Sequence, residues 1–146
     1  SLKMNLNEAL SAVKHLDSDT QNISENDPIS AASTAAEVLW AAYQKPVFIT
    51  LGAKGIGGMA DGTFFHIPGF LTEGPIDIVG AGDSVLAGIG LSLCAGATAK
   101  EAAYIGNLVG SITIQQIGTT GKATQHDLRQ RHKEYQQQSQ GLDTHD

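Results

Sequence analysis

The stretch DIVGAGDSV, Asp77 to Val85, puts an acid directly behind a turn made of the smallest residues. Gly80, Ala81 and Gly82 precede Asp83, and an apolar run with the length of a helix follows. Free amides at a helix N-terminus, reinforced by the helix dipole, hold anions. A carboxylate beside such a site is unfavourable unless it has a task there. Taking the proton from a hydroxyl that attacks a phosphoryl group is one such task. Capping the helix is the plainer use of Asp83, and spacing alone leaves the two readings even.

Three other groups carry possible chemistry. ITLGAKG ends a short β-branched run in Thr50, Gly52 and Gly55, which leaves bare backbone at a strand's carboxyl end, where open α/β sheets bind ligands. An ordinary strand-to-hairpin turn is the competing reading, and taken alone the stronger one. In MNLNEAL, Asn5 and Glu8 stand three apart and can face one way. An amide and a carboxylate so placed could order phosphates and a hydrated Mg²⁺, but reciprocal helix capping explains the spacing more simply. Asn107 lies off the apolar stripe of its helix, beside Gly110 and Ser111. It could line a pocket, although an exposed or locally bonded asparagine is the expectation. The histidines at 15, 66, 126, 132 and 145 are dispersed and form no metal-ligand spacing with Cys94, which reads as a small core residue.

The elements that must position these residues follow from periodicity and turn signals. Apolar positions 6, 9, 10, 13 and 16 predict a helix from Leu6 to Leu16, and residues 17–28 read as an exposed loop. Ser30 is the expected cap of the next helix, which Pro46 stops. Val47 to Gly52 reads as a buried strand, and Asp61-Gly62 as the turn of a hairpin. A helix should run from Ser84 to Gly96, with Gly88 and Gly90 inside it marking the close approach of another backbone. Thr98 and Glu101 form a capping box, and Ile105, Leu108, Val109 and Ile112 form one stripe of the helix that follows. Thr124 caps a last, mostly polar helix. Helices before and after three or four strands predict an α/β layer structure with an incomplete sheet.

The bulk numbers narrow the class. The chain has 146 residues, enough for one domain with a core, and its charge of −6 with scattered basic residues excludes nucleic acid as the main partner. A single cysteine excludes an internal disulfide and fits a reducing compartment. The longest apolar stretch, Val85 to Ala95, is too short to span a bilayer. The first residue is Ser1; Ser1 and Leu2 are expected to be a cloning remnant, and the chain a piece of a longer protein.

Taken in order, KMNLNEA, ITLGAKG, DIVGAGDSV and IGN…IQQIGTTG resemble the ATP-binding half of PfkB (ribokinase-like) carbohydrate kinases. Each motif alone is weak, and four in the family's order are specific. The resemblance implies a ribokinase-like three-layer α/β/α sandwich, present only as its C-terminal portion. Residues 1–140 would be the nucleotide-binding portion and 141–146 a disordered tail, without the N-terminal sugar-binding half and lid. It implies transfer of the γ-phosphate of ATP to a sugar hydroxyl, with Asp83 as the base. The amides of Gly80, Ala81 and Gly82 would form the anion hole. Asn5 and Glu8 would order the phosphates and Mg²⁺, Glu8 through water. Thr50, Gly52 and Gly55 would lie along the nucleotide, with Asn107 near the adenine and Gly118 on the loop closing that pocket. Asp77 and the Val79 carbonyl match a site for a monovalent cation such as K⁺, although the usual Thr-Thr is Ile78-Val79 here. The implied partners are ATP and a small sugar or sugar phosphate, in a cytoplasmic protein that dimerises when whole. This portion alone should phosphorylate a sugar poorly, because nothing in it orients the acceptor. The alternative is a nucleotide-binding or regulatory module without phosphotransfer.

Overall fold

Two apolar faces of one sheet organise the chain. The computed structural model describes residues 1–16, 23, 26–119 and 121–142, so most of the expected loop at 17–28 and the residues after 142 lie outside the described ones. The elements are β1 (Leu2–Asn5), α1 (Leu6–Leu16), α2 (Pro28–Tyr43), β2 (Val47–Thr50), β3 (Ile56–Ala60), β4 (Thr63–Ile67), α3 (Ala81–Cys94), α4 (Ala99–Thr113) and α5 (Gln125–Leu142). The sheet order is β1-β2-β3-β4. β1 and β2 run parallel, joined through α1 and α2, whereas β2-β3 and β3-β4 are antiparallel. Leu2 is already a sheet residue, paired with Val47.

Strand alternation divides the core. Val47, Ile49 and Met59 pack with Val13 of α1 and Leu39 of α2 on one face. Phe48, Ile56 and Ile67 pack with Val85 and Ile89 of α3 and Ala102 and Ala103 of α4 on the other. Successive strand residues point to opposite faces, so VFIT feeds both layers, and the result is the expected three-layer sandwich on an incomplete sheet. The β3-β4 hairpin turns at Asp61 (φ 50°) and Gly62 (φ 73°), the two positive values that a type I′ turn requires.

Four expectations need correction. The α2 cap is Asp27, whose carboxylate accepts from the Ile29 amide at 3.1 Å, and not Ser30. Pro28 then occupies the first helical position, where its missing N–H costs nothing. Gly88 does face another helix: a Cβ there would stand 3.0 Å from Val109 Cγ2 and 3.6 Å from Gly106 Cα of α4. Gly90 faces nothing within 4 Å, because it lies on the side of α3 turned away from α4. Cys94 is exposed rather than core. The apolar residues of α3 surround its whole circumference, so periodicity could not say which side is buried. Finally, α5 continues to Leu142, past the start of the expected tail.

Candidate functional site

β1 and β2 are parallel, so their carboxyl ends lie side by side, with Asn5 opposite Thr50. The Thr50 hydroxyl reaches toward the Met4 carbonyl at 3.5 Å. Asn5 and Glu8 form a reciprocal capping pair: the Glu8 carboxylate accepts from the Asn5 amide at 2.8 Å, and the Asn5 side chain accepts from the Glu8 amide at 2.9 Å. The simpler reading of this pair is therefore realised. It leaves the second carboxylate oxygen of Glu8 without a hydrogen-bond partner among the described residues.

After β2 the chain makes one 3-10 turn, Gly52–Lys54. Its two glycines serve different ends. Gly52 (φ 59°) opens to space, with nothing within 4 Å of a Cβ placed on it. Gly55 (φ 95°) backs onto the exit of β4, where a Cβ would stand 2.1 Å from the Ile67 carbonyl oxygen.

The N-terminus of α3 is exposed at Gly80, Gly82 and Asp83. Its cap is Gly80 in the left-handed conformation (φ 78°), with no side chain bonded to the helix amides. Asp83 sits exposed in the first turn and does not cap. That removes the plainer reading of Asp83. The Ala81 amide is taken by the Ile78 carbonyl at 3.2 Å. Among the described residues the amides of Gly80, Gly82 and Asp83 keep no backbone partner, so the donor set here differs from the expected one at Ala81. Sequence reading overlooked Lys3: its Nζ lies 3.2 Å from where a Cβ on Gly82 would stand. The signal was available, since Lys3 and Asn5 are two apart on one strand and share a face.

Asp77 ties the approach to α3 to the turn after α4. Its carboxylate accepts from the Val79 amide at 3.0 Å and from the Gly118 amide at 3.3 Å. These two bonds, Val79's first, hold its carboxyl below the ordinary aspartate value, so it is ionised at neutral pH. Gly118 thus meets Asp77. Asn107 is a larger surprise: it is 9 % exposed, and its side-chain amide donates to the carbonyls of Ile67 and Pro68, both at 3.0 Å. An exposed or locally bonded asparagine was expected, and its partners lie 40 and 39 residues away.

A profile of the pfkB family carbohydrate kinases matches residues 1–126. The chain belongs to this family. Bifunctional protein HldE of Desulfatibacillum aliphaticivorans is 32 % identical over 102 residues, covering 70 % of this chain and 21 % of that protein. The ribokinase of Thermotoga maritima superposes with a TM-score of 0.68 at 21 % identity, covering 90 % of this chain and 41 % of that one. The phosphofructokinase-2 of Escherichia coli, solved in complex with potassium, gives 0.72 at 22 % identity, over 89 % and 39 %. These likenesses establish the ribokinase-like fold. The chain spans about a fifth of the length of that curated relative and about two fifths of those solved structures. Among the described residues no helix is long and apolar enough to cross a membrane.

Proposed function

We propose that the protein carrying this chain transfers the γ-phosphoryl group of ATP to a carbohydrate hydroxyl, and that this chain supplies the phosphate site and the base. The observation that carries the reading is the start of α3: an uncapped helix N-terminus, an exposed Asp83 free of capping duty, and the Lys3 ammonium beside Gly82. In the reaction the acceptor oxygen attacks the γ-phosphorus, the bond from that phosphorus to the bridging oxygen of ADP breaks, and Asp83 takes the hydroxyl proton. The amides of Gly80 and Gly82, with Lys3, stabilise the charge on the transferring group. Thr50 and Gly52 lie along the nucleotide.

A hydrated Mg²⁺ prefers few carboxylates and several waters, and the amide-carboxylate pair of Asn5 and Glu8 suits it, with one Glu8 oxygen to spare. When bound, it would neutralise phosphate charge. Asp77, kept ionised, and the Val79 carbonyl would hold a monovalent cation such as K⁺. Family membership supports the phosphotransferase reading.

Calorimetric titration of MgATP tests the site. The unsubstituted chain should bind, and Gly82→Arg, which fills the space over the amides, should not. In the intact protein Asp83→Asn should keep MgATP binding and lower kcat by about 100-fold or more. Near-normal turnover of that variant would rule out Asp83 as the base. Binding without any turnover in the unsubstituted intact protein would favour the regulatory module.

A further inference from the structure

The Gly52–Lys54 turn is rich in conformational freedom, yet a ligand-binding backbone has to be held still. Glycine loses more entropy on ordering than any other residue, so such a turn needs external anchors to be pre-organised. The structure supplies them on one side only. Gly55 packs onto the exit of β4, with its absent Cβ 2.1 Å from the Ile67 oxygen and 2.5 Å from the Gly69 amide nitrogen. Gly69 returns the contact, with its absent Cβ 2.2 Å from the Ala53 oxygen. That exit is itself bolted from behind. Asn107 of α4 donates to the carbonyls of Ile67 and Pro68, and the Tyr135 hydroxyl of α5 donates to Pro68 at 2.9 Å.

One side chain completes the grip. His66 of β4 places its Nε2 2.7 Å from the carbonyl oxygen of Lys54, the last residue of the turn. A carbonyl only accepts, so Nε2 carries the hydrogen and donates it. His66 stands in the strand directly opposite Gly57, so β-pairing fixes its backbone. The open side of the turn, at Gly52, is left for a ligand.

We propose that His66 is a positioning residue for the nucleotide, holding the Lys54 carbonyl so that the Gly52–Gly55 backbone is already in its binding shape before ATP arrives. This rests on the nucleotide reading given above. His66 touches neither phosphate nor base in this account. It acts through the turn, and its loss would be felt as weaker nucleotide binding more than as slower chemistry.

The test compares His66→Phe, which keeps a flat ring and removes the donor, with His66→Gln, whose side-chain amide can reach the same carbonyl. Two readouts are taken on the chain as it stands: amide hydrogen exchange at Leu51 and Gly55, whose N–H groups close the turn, and the Kd for MgATP. H66F should lose about tenfold in exchange protection at these two amides and weaken MgATP by about tenfold, the size of one lost hydrogen bond. H66Q should restore both to within about threefold, and protection in α4 should not change in either variant. Wild-type protection and affinity in H66F would overturn the proposal, as would a glutamine variant as impaired as the phenylalanine one. If the unsubstituted chain takes up no MgATP, the nucleotide reading itself fails and this role falls with it. If the chain binds and H66F binds equally, only the role of His66 falls.

Discussion

At the scale of the residue, the site depends on which polar groups are already spent within the protein. Asp77 turns one carboxylate oxygen to each of two amides and keeps a lone pair on each for a further ligand, and Asn107 spends its amide on two carbonyls. Asp83 and Lys3 are different: one does not cap its helix, and the other stands beside the glycine that follows the turn. If Lys3 serves the phosphates, Lys3→Met should weaken MgATP more than adenosine, because only the phosphates meet the ammonium. The expected loss is about tenfold to 100-fold for MgATP, in the range of a charge-assisted hydrogen bond, with adenosine affinity unchanged. Equal losses for both ligands would place Lys3 in a structural role. The residues legible from sequence were those whose partners lie close in the chain, such as Asn5 with Glu8 and Thr98 with Glu101. Asn107, His66 and Tyr135 were not legible as anchors, because their partners lie 12 to 67 residues away and local pattern carries no sign of them.

At the scale of the element, the most informative contrast lies inside α3. Gly88 and Gly90 look alike in sequence, both being mid-helix glycines that each cost about 1 kcal/mol relative to alanine. The structure separates them. Gly88 lets α3 approach α4 against Val109 and Gly106, and Gly90 faces open space. Gly90→Ala should therefore raise stability by about 0.5–1 kcal/mol, through helix propensity alone. Gly88→Val should destabilise by about 1–3 kcal/mol, because the added atoms must push the helices apart. Chemical denaturation of the two variants checks both signs, and destabilisation by G90A would mean that something covers this side of α3 in solution. The same contrast explains how far the sequence could be read. The helices, the strand at Val47 and the Asp61-Gly62 hairpin followed from period and turn chemistry, whereas β1 was not foreseen as a strand and the sheet covered on both faces came with the family resemblance. Facing was lost wherever a helix is apolar all round, as at Cys94 and Gly90 of α3, because a uniform pattern contains no direction.

At the scale of the whole molecule, the described chain leaves two features uncovered together. β1 pairs with β2 alone, so its other edge offers unpaired backbone groups. Large apolar side chains stand exposed on and before α3: Ile78 at 72 %, Val79 at 84 %, Leu86 at 50 % and Leu91 at 74 %. Single exposed apolar residues are ordinary, but an open strand edge on the same small molecule as an uncovered apolar helix invites association. A charge of −6 opposes this only weakly at physiological salt, where exposed charges are screened beyond about 8 Å. The chain by itself should therefore self-associate, with an apparent mass that rises with concentration in sedimentation experiments. Leu91→Lys should lower the association of this chain by breaking the apolar surface, without altering the site, because residue 91 lies just over two turns along α3 from Asp83, about 12 Å away at about 1.5 Å of rise per residue. The same substitution separates two origins of the association. If the edge of β1 drives it, L91K will change little, and a charge at Leu2, where the ladder begins, will change much. A chain that stays monomeric at high concentration without substitution would show that neither the open edge of β1 nor the apolar surface of α3 is enough to drive association.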